Sequence, residues 1–157
     1  MKINKQGCAV IFAAATCMFQ NTVLAQWNTS LGTDANPSDT GINNNAIGFW
    51  ALFSNTTGSN NVANGAFSLN KNTTGNSNVA NGYEALLSNT TGARNTASGA
   101  YSLRSNTVGE ENTAAGSYAL YANTTGGANN GIGYQALYSN TTGKQNTANG
   151  NNALYSN

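Results

Sequence analysis

The chain has 157 residues, only 7% of them charged, and its formal net charge at pH 7 is +1. This composition excludes the concentrated basic face that nucleic-acid binding requires. There is no histidine, and both cysteines lie in a segment that we expect to be removed, so the usual nucleophile–base pairs cannot be built. We therefore expect a protein that is not an enzyme and holds no cofactor.

Residues 1–25 have the layout of a secretory signal peptide. Lys2 and Lys5 form a basic start, and a nearly uncharged run follows from Cys8 to Phe19. This run of about 12 residues is shorter than the roughly 20 that span a bilayer. We predict cleavage after Ala25, secretion, and no membrane insertion of the mature chain. A single membrane anchor is the alternative.

The mature chain begins with a short leader or N-terminal cap at residues 26–40. Because Cys8 and Cys17 lie in the signal peptide, the mature chain has no disulfide and no cysteine metal site. Asp34 and Asp39 flank Pro37, which is typical of a turn. Trp27 is expected to cover the open edge of the structure that follows.

Residues 41–157 consist of seven consecutive copies of a 17-residue unit, the last incomplete, without insertion or deletion. The unit reads Gly-x-x-Asn-Thr-Ala-x-Gly-x-x-Ala-Leu-x-Ser-Asn-Thr-Thr, and we number its positions from the first glycine. Position 4 is always asparagine, at Asn44, Asn61, Asn78, Asn95, Asn112, Asn129 and Asn146. Position 12 is always leucine, at Leu52, Leu69, Leu86, Leu103, Leu120, Leu137 and Leu154. We interpret both sets as structural ladders.

The repeat predicts an all-β fold, a β-solenoid (parallel β-roll) of seven coils. A unit of this length is too short for a pair of helices, and its Asn, Gly and Thr content disfavours helix. We predict two short strands per coil, around positions 4–8 and 11–15, with glycines at positive φ in the corners. Successive coils would lie about 4.8 Å apart, so that identical side chains stack. Each leucine would contribute about 2 kcal/mol of apolar burial.

Every aromatic residue of the repeats falls at position 9, 10 or 13. Side chains at positions 9 and 10 of one strand cannot both point inward, so some rings must lie on the surface. We predict that rings pack between parallel subunits. The alternative is a partly exposed aromatic ladder within one chain. The candidate interface residues are Trp50, Phe67, Tyr101, Tyr118, Tyr121, Tyr138 and Tyr155.

Positions 15 to 17 suggest two further roles. Threonines at positions 16 and 17 form columns, the second broken at Val108, and regular hydroxyl columns on a flat sheet can match an ice lattice. Asparagines that begin Asn-x-Ser/Thr triplets are candidate glycosylation sites. Besides Asn28, they are Asn55, Asn72, Asn89, Asn123 and Asn140.

The segments Asn95-Thr-Ala-Ser-Gly-Ala-Tyr-Ser-Leu103 and Asn112-Thr-Ala-Ala-Gly-Ser-Tyr-Ala-Leu120 resemble the head repeats of YadA-like trimeric autotransporter adhesins. They are also similar to β-roll arrays of secreted and phage tail-fibre-type proteins. The resemblance covers residues 41–157 and implies a left-handed β-roll, three chains side by side, and attachment outside the cell. The adhesin repeat is usually shorter, and such proteins continue into stalk, anchor or chaperone segments, so we expect this chain to be part of a longer fibre protein.

These observations predict a structural or adhesive module of an extracellular or cell-surface fibre. Its partners would be copies of itself, as a homotrimer, and a host-surface or glycan ligand bound at variable positions. Two alternatives stay open. One is a self-assembling extracellular filament of end-to-end subunits, with or without glycans, and the other is an ice-binding solenoid that uses its threonine columns.

Overall fold

The structure, a computed structural model, describes residues 28–37 and 39–156. The predicted signal peptide, Trp27 and Asn157 lie outside the described residues. Those residues contain eight strands, no helix, and so no helix that could cross a membrane. The strands are β1 (Thr29–Leu31), β2 (Asn45–Ile47), β3 (Val62–Asn64), β4 (Val79–Asn81), β5 (Thr96–Ser98), β6 (Thr113–Ala115), β7 (Asn130–Ile132) and β8 (Thr147–Asn149).

The eight strands form one parallel sheet in sequence order, which confirms the predicted β-solenoid. Each strand covers positions 5 to 7 of a coil and pairs with the same positions of the next, as where Ala63 lies opposite Ala80. The position 6 side chain points inward, and Ala63 and Ala80 are fully buried. Positions 5 and 7 face outward because side chains alternate along a strand. The side chain at position 6 must fit inside the coil and is therefore small, whereas the side chains at positions 5 and 7 point outward and vary from coil to coil.

The second predicted strand is wrong, because positions 9 to 14 form a series of turns. Non-glycine residues at positions 10 and 12 take left-handed backbone angles, as at Phe67 (φ 60°) and Leu69 (φ 48°). Such angles are incompatible with an extended strand and are rare for these residue types. The turns nevertheless hydrogen-bond between coils: the Leu69 amide donates to Ala85 O at 3.0 Å and the Lys71 amide to Leu87 O at 3.1 Å. The coils therefore stack on both sides.

The two glycines of the unit have different roles. Position 8 takes a positive φ, as at Gly65 (φ 141°), which other residues rarely adopt. Position 1 does not, but a Cβ atom on Gly58 would collide with the Gly75 carbonyl oxygen of the next coil. Only the position 8 glycines agree with the prediction of positive φ, and those at position 1 instead allow close approach.

The predicted leader follows the same path as the repeats. Strand β1 pairs with β2, and Gly32 has the φ of 135° that is typical of position 8. This coil is one residue shorter than the others, because Thr40 directly precedes Gly41. Asn36 takes the place of the ladder leucine, and Asp39 that of the position 15 asparagine. Residues 28–40, apart from residue 38, thus add a coil in front of the seven repeats.

The core is narrow and runs along the stack. Each coil contributes the leucine of position 12 and small residues at positions 6 and 11, as in the fully buried set Ala80, Ala85 and Leu86. The small residues are alanine except at Ser68, Ser102 and Gly131. Six of the seven ladder leucines are fully buried, whereas Leu154 in the last coil is 49% exposed. A leucine is covered only when a further coil lies over it, so burial depends on stacking.

Candidate functional site

The position 4 asparagines form a buried hydrogen-bonded ladder. The Asn78 backbone amide donates to Asn61 Oδ1 at 3.0 Å, and Asn78 Nδ2 donates to the same oxygen at 3.2 Å. Asn78 Nδ2 also donates to Gly92 O at 2.8 Å. The same pattern continues to Asn146, whose Nδ2 donates to Asn129 Oδ1 at 3.1 Å. Each side-chain oxygen therefore accepts from the following coil, while the N–H groups donate both to the preceding coil and to the glycine carbonyl that begins the following one.

The position 15 asparagines form a second ladder with the same direction. Asn72 Nδ2 donates to Asn55 Oδ1 at 2.7 Å and to Gly75 O at 3.0 Å, and Asn89 Nδ2 donates to Asn72 Oδ1 at 2.8 Å. These side chains are buried, and both hydrogens of each amide are committed. A glycan replaces one of those hydrogens and would have to occupy the core. Glycosylation at Asn55, Asn72, Asn89, Asn123 and Asn140 is therefore incompatible with the folded coils.

Asp39 lies where the two ladders meet the first coil. Its Oδ2 accepts hydrogen bonds from Nδ2 of Asn28 (3.1 Å), Asn36 (2.8 Å) and Asn44 (2.7 Å). Its Oδ1 accepts from the Gly41 amide and from Asn55 Nδ2, both at 2.7 Å. Asp39 is 5% exposed, so its charge is solvated by five protein donors rather than by water. The sequence suggested only a turn residue at this place.

The threonine column at position 16 is bonded internally. Thr73 Oγ1 donates to Thr90 O at 3.0 Å, and Thr90 Oγ1 to Thr107 O at 3.0 Å. The neighbouring column at position 17 is exposed and is interrupted by Val108. Hydroxyl hydrogens of the first column are thus directed to the backbone, which does not favour the array of free hydroxyls that the ice-binding alternative needs.

The eleven aromatic side chains of the repeats form one continuous column on the surface. At its N-terminal end Phe49 stacks on Trp50, with ring centroids 5.2 Å apart, and Trp50 meets Phe67 edge-on at 5.8 Å. Contacts of 4.8 to 6.0 Å then connect Phe67 to Tyr118 through Tyr83 and Tyr101. All seven predicted interface residues belong to this column, together with Phe49, Phe53, Tyr83 and Tyr134.

The column changes position in its C-terminal half. Tyr118, at position 10, contacts Tyr121 and Tyr138, both at position 13, at 5.7 and 6.5 Å. The rings of Tyr121, Tyr138 and Tyr155 then stack at 5.1 and 4.9 Å with interplanar angles of 4° and 2°. Rings at positions 10 and 13 therefore lie on the same face of the stack, and either position can continue the column.

The rings of the column are only partly covered by their neighbours. Five of them are 36–49% exposed: Phe49, Trp50, Tyr83, Tyr134 and Tyr155. The other six are half-buried. An apolar surface of this length on one side of a fold is typical of an interaction surface.

One ion pair borders the column in its middle. Arg104 Nε lies 2.5 Å from Glu84 Oε2, and its guanidinium carbon lies 5.9 Å from the Tyr121 ring centroid. A hydrogen bond with the Glu84 carboxylate raises the pKa of Tyr83. Partial burial, and then the neighbouring tyrosines, raise the pKa of Tyr138. These phenols therefore stay protonated at neutral pH.

The remaining charged groups do not form a recognisable site. Arg94 bridges Glu110 at 2.6 Å and Glu111 at 3.1 Å, and all three side chains are at least half-exposed. Within the described part of the chain no group of three or more Asp, Glu, His or Cys side chains could hold a metal ion.

Comparison with protein-family models finds no match, and comparisons with curated proteins and with solved structures find no significant similarity.

Proposed function

We propose that this chain is a non-catalytic structural or adhesive module of an extracellular or cell-surface fibre. In this fibre three parallel copies associate side by side along their aromatic columns. The observation that carries the proposal is the column itself, in which eleven rings lie in contact along one face and none is fully buried. Aromatic side chains are enriched at the centres of protein interfaces.

The narrow core of the single chain supports side-by-side association. Each coil offers its core one leucine and at most two alanines, so much of the apolar surface of the molecule lies in the column. Full burial of a large apolar side chain contributes about 1.5–3 kcal/mol, and rings that are half-exposed in one chain have gained only part of this. Packing the columns of parallel chains against one another would recover the remainder.

The hydrogen bonding of the stack suits a rigid spacer. Adjacent coils are joined by strand pairing, by turn backbone bonds such as Leu86 N to Ser102 O (3.0 Å), and by both asparagine ladders. Repeat stacks of this kind are stabilised by interfaces between neighbours. A ligand on a host surface or glycan would bind at the outward positions 5 and 7, which vary from coil to coil, as at the exposed residues Thr96, Ser98 and Ile132.

Sedimentation equilibrium of the full chain tests the proposal. We expect a trimer for the wild type and for the conservative variant Tyr101→Phe/Tyr118→Phe, which keeps both rings. The variant Tyr101→Ser/Tyr118→Ser should dissociate, with circular dichroism showing that the fold is retained. A wild type that is monomeric at all concentrations, or a serine variant that stays trimeric, contradicts the proposed interface.

A separate measurement addresses secretion. Mass spectrometry of the exported chain should give an N-terminus at Gln26, as the signal-peptide prediction requires. An unprocessed N-terminus on membrane-bound protein would favour the anchor alternative.

A further inference from the structure

All seven tyrosines of the chain belong to the aromatic column. Five of them share their repeat position with a tyrosine 17 residues away in an adjacent coil: Tyr101 and Tyr118 at position 10, and Tyr121, Tyr138 and Tyr155 at position 13. Side chains at equivalent points of stacked coils leave backbones that lie about 4.8 Å apart and run in the same direction. The stack therefore brings like phenols together in a fixed geometry.

These five tyrosines form three stacked pairs. Ring centroids are 4.8 to 5.1 Å apart, with interplanar angles of 18° or less, in Tyr101–Tyr118, Tyr121–Tyr138 and Tyr138–Tyr155. In parallel rings that point the same way, equivalent ortho carbons are separated by about the centroid distance. None of the five rings is fully buried, so each can turn about its Cβ–Cγ bond and can release a proton to water.

The two remaining tyrosines, both at position 9, are placed differently. Tyr83 meets Tyr101 with the ring planes at 78°, and Tyr134 meets Tyr118 with the planes at 80°. In such an edge-to-face contact, the edge of one ring points at the face of the other, so the ortho carbons of the two rings do not meet. Tyr134 is nevertheless the most exposed ring of the column, at 49%. Exposure and stacking are thus separated within this set of side chains.

Stacked phenols are suited to oxidative coupling. One-electron oxidation of a tyrosine, with loss of the phenol proton to water, gives a phenoxyl radical whose unpaired electron is shared with the ortho carbons. Two such radicals join through these carbons, and the two ring hydrogens then move to the oxygens, which restores both phenols. Overall, one C–C bond replaces two C–H bonds, and the two electrons and two protons released reduce one hydrogen peroxide to two waters. Rings already held in contact couple in preference to rings that must first meet by diffusion.

We propose that the stacked tyrosines are a cross-linking site, at which a peroxidase-type one-electron oxidant joins successive coils through dityrosine bonds. The repeats contain no cysteine, so a disulfide cannot join the coils instead. Each dityrosine bond at position 13 links residues 17 apart and so restricts the unfolded chain, as other cross-links do. The proposal goes beyond the proposed function and does not rest on it, because both members of each pair belong to one chain.

The test uses the full chain with a peroxidase and hydrogen peroxide, after sedimentation velocity has established the state of assembly. Tryptic peptides are then searched by mass spectrometry for the loss of two hydrogens. Trypsin cleaves after Arg104 and Lys144, so the Tyr138–Tyr155 bond joins the peptides on either side of Lys144. The bond between Tyr121 and Tyr138 instead forms a loop within one peptide. We expect both products, at a yield that does not change on dilution.

Tyr138→Phe is the sharpest variant, because it keeps the ring but removes a phenol that two of the three stacked pairs share. It should lose about two-thirds of the dityrosine fluorescence for that reason. Tyr134→Phe is the matched control, since Tyr134 lies in the same coil, is more exposed and belongs to no stacked pair. It should keep the wild-type yield. Oxidation should also raise the denaturation midpoint of the wild type more than that of Tyr138→Phe.

Absence of dityrosine from the folded wild type, in a reaction that couples free tyrosine, overturns the proposal. An equal loss of fluorescence in Tyr134→Phe and Tyr138→Phe also overturns it, because stacking would then not select the product. Products found only between chains, which migrate as covalent dimers or trimers on denaturing gels, overturn it as well. Failure of the proposed trimer is seen separately, since sedimentation before oxidation reports it and coupling within a monomer is still expected.

Discussion

The buried asparagine ladders and the exposed aromatic column run along the same stack but follow different rules. The ladders use the same residue at the same position in every repeat, and each amide bonds to the one before it. The column mixes Phe, Trp and Tyr and moves from position 10 to position 13 at Tyr118. Hydrogen bonds are directional and fail with any mismatch, whereas ring packing tolerates changes of type and place. The ladders thus determine the register in which the coils stack, whereas the column forms a surface whose residue types and positions can change.

A substitution that interrupts an asparagine ladder in its middle should lower the free energy of unfolding more than any other single change discussed below. Asn72→Ala leaves Asn55 Oδ1 without a donor, one of the two Asn89 Nδ2 hydrogens without an acceptor, and Gly75 O without its Asn72 bond, all in the interior. We expect the free energy of unfolding to fall by about 3–5 kcal/mol. Chemical denaturation measures this loss.

The control for this variant is Asn81→Ala, at an exposed position of β4. We expect a change within about 0.5 kcal/mol there. Equal effects at the two sites would mean that the buried amides contribute no more than surface ones.

Truncation of a core leucine should cause the second-largest loss in the free energy of unfolding. Leu86 is fully buried, and Leu86→Ala should cost about 2–4 kcal/mol because it opens a cavity between packed coils. Leu154→Ala, at a 49% exposed site of the same repeat position, should cost less than about 1 kcal/mol. Both leucines occupy position 12, so the sequence alone predicts the same burial for the two side chains. Matched thermal unfolding of both variants will show whether stacking accounts for the difference.

A feature of the fold could be predicted from the sequence where it follows from the repeat unit itself, and could not where it follows from contacts with a neighbouring coil. The invariant spacing of glycine, asparagine and leucine was sufficient to predict stacked coils with like residues in register. The second strand was predicted wrongly because the position 12 leucines adopt left-handed angles, as at Leu69 (φ 48°), that this residue type rarely takes and that its local sequence does not indicate. Contacts with adjacent coils override local preference, and a single unit does not reveal them.

The role of Asp39 was concealed for a different reason. Its coil lacks one residue between Thr40 and Gly41, so a search at constant spacing does not align Asp39 with the position 15 asparagines. Allowing a one-residue gap would have aligned Asn28, Gly32 and Asp39 with positions 4, 8 and 15. Likewise, periodicity identified the aromatic positions, but it did not show that positions 9, 10 and 13 share one face, because a strand was expected where the structure has turns.

Changes in the aromatic column should affect the stability of a single chain less. Tyr138 stacks between Tyr121 and Tyr155, and Tyr138→Ser should cost about 1–2 kcal/mol under conditions where the chain is monomeric. Tyr138→Phe keeps the ring and should cost under about 0.5 kcal/mol. Denaturant titration at low protein concentration measures both. A serine variant as unstable as Asn72→Ala would contradict the distinction between ladder and column.

The smallest expected effect concerns pH. The hydrogen bond with Glu84 raises the pKa of Tyr83 above 10.0, so the folded state holds this proton more tightly than the unfolded state. The resulting contribution to stability is present below pH 10 and is lost as the pH rises through the folded-state pKa. Glu84→Gln should lower the pKa of Tyr83 towards 10.0 in an ultraviolet tyrosinate titration. An unchanged titration curve would show that Glu84 does not act on this phenol.

The restriction of strand pairing to adjacent coils has a mechanical consequence. When the stack is pulled by its two ends, force acts mainly on the outermost coil, because no strand connects distant parts of the sheet. Coils would then peel away one at a time, each releasing 17 residues of chain, about 55 Å when extended. Such a molecule would lengthen in equal steps under tension and could shorten again by re-laying each coil on the one before it.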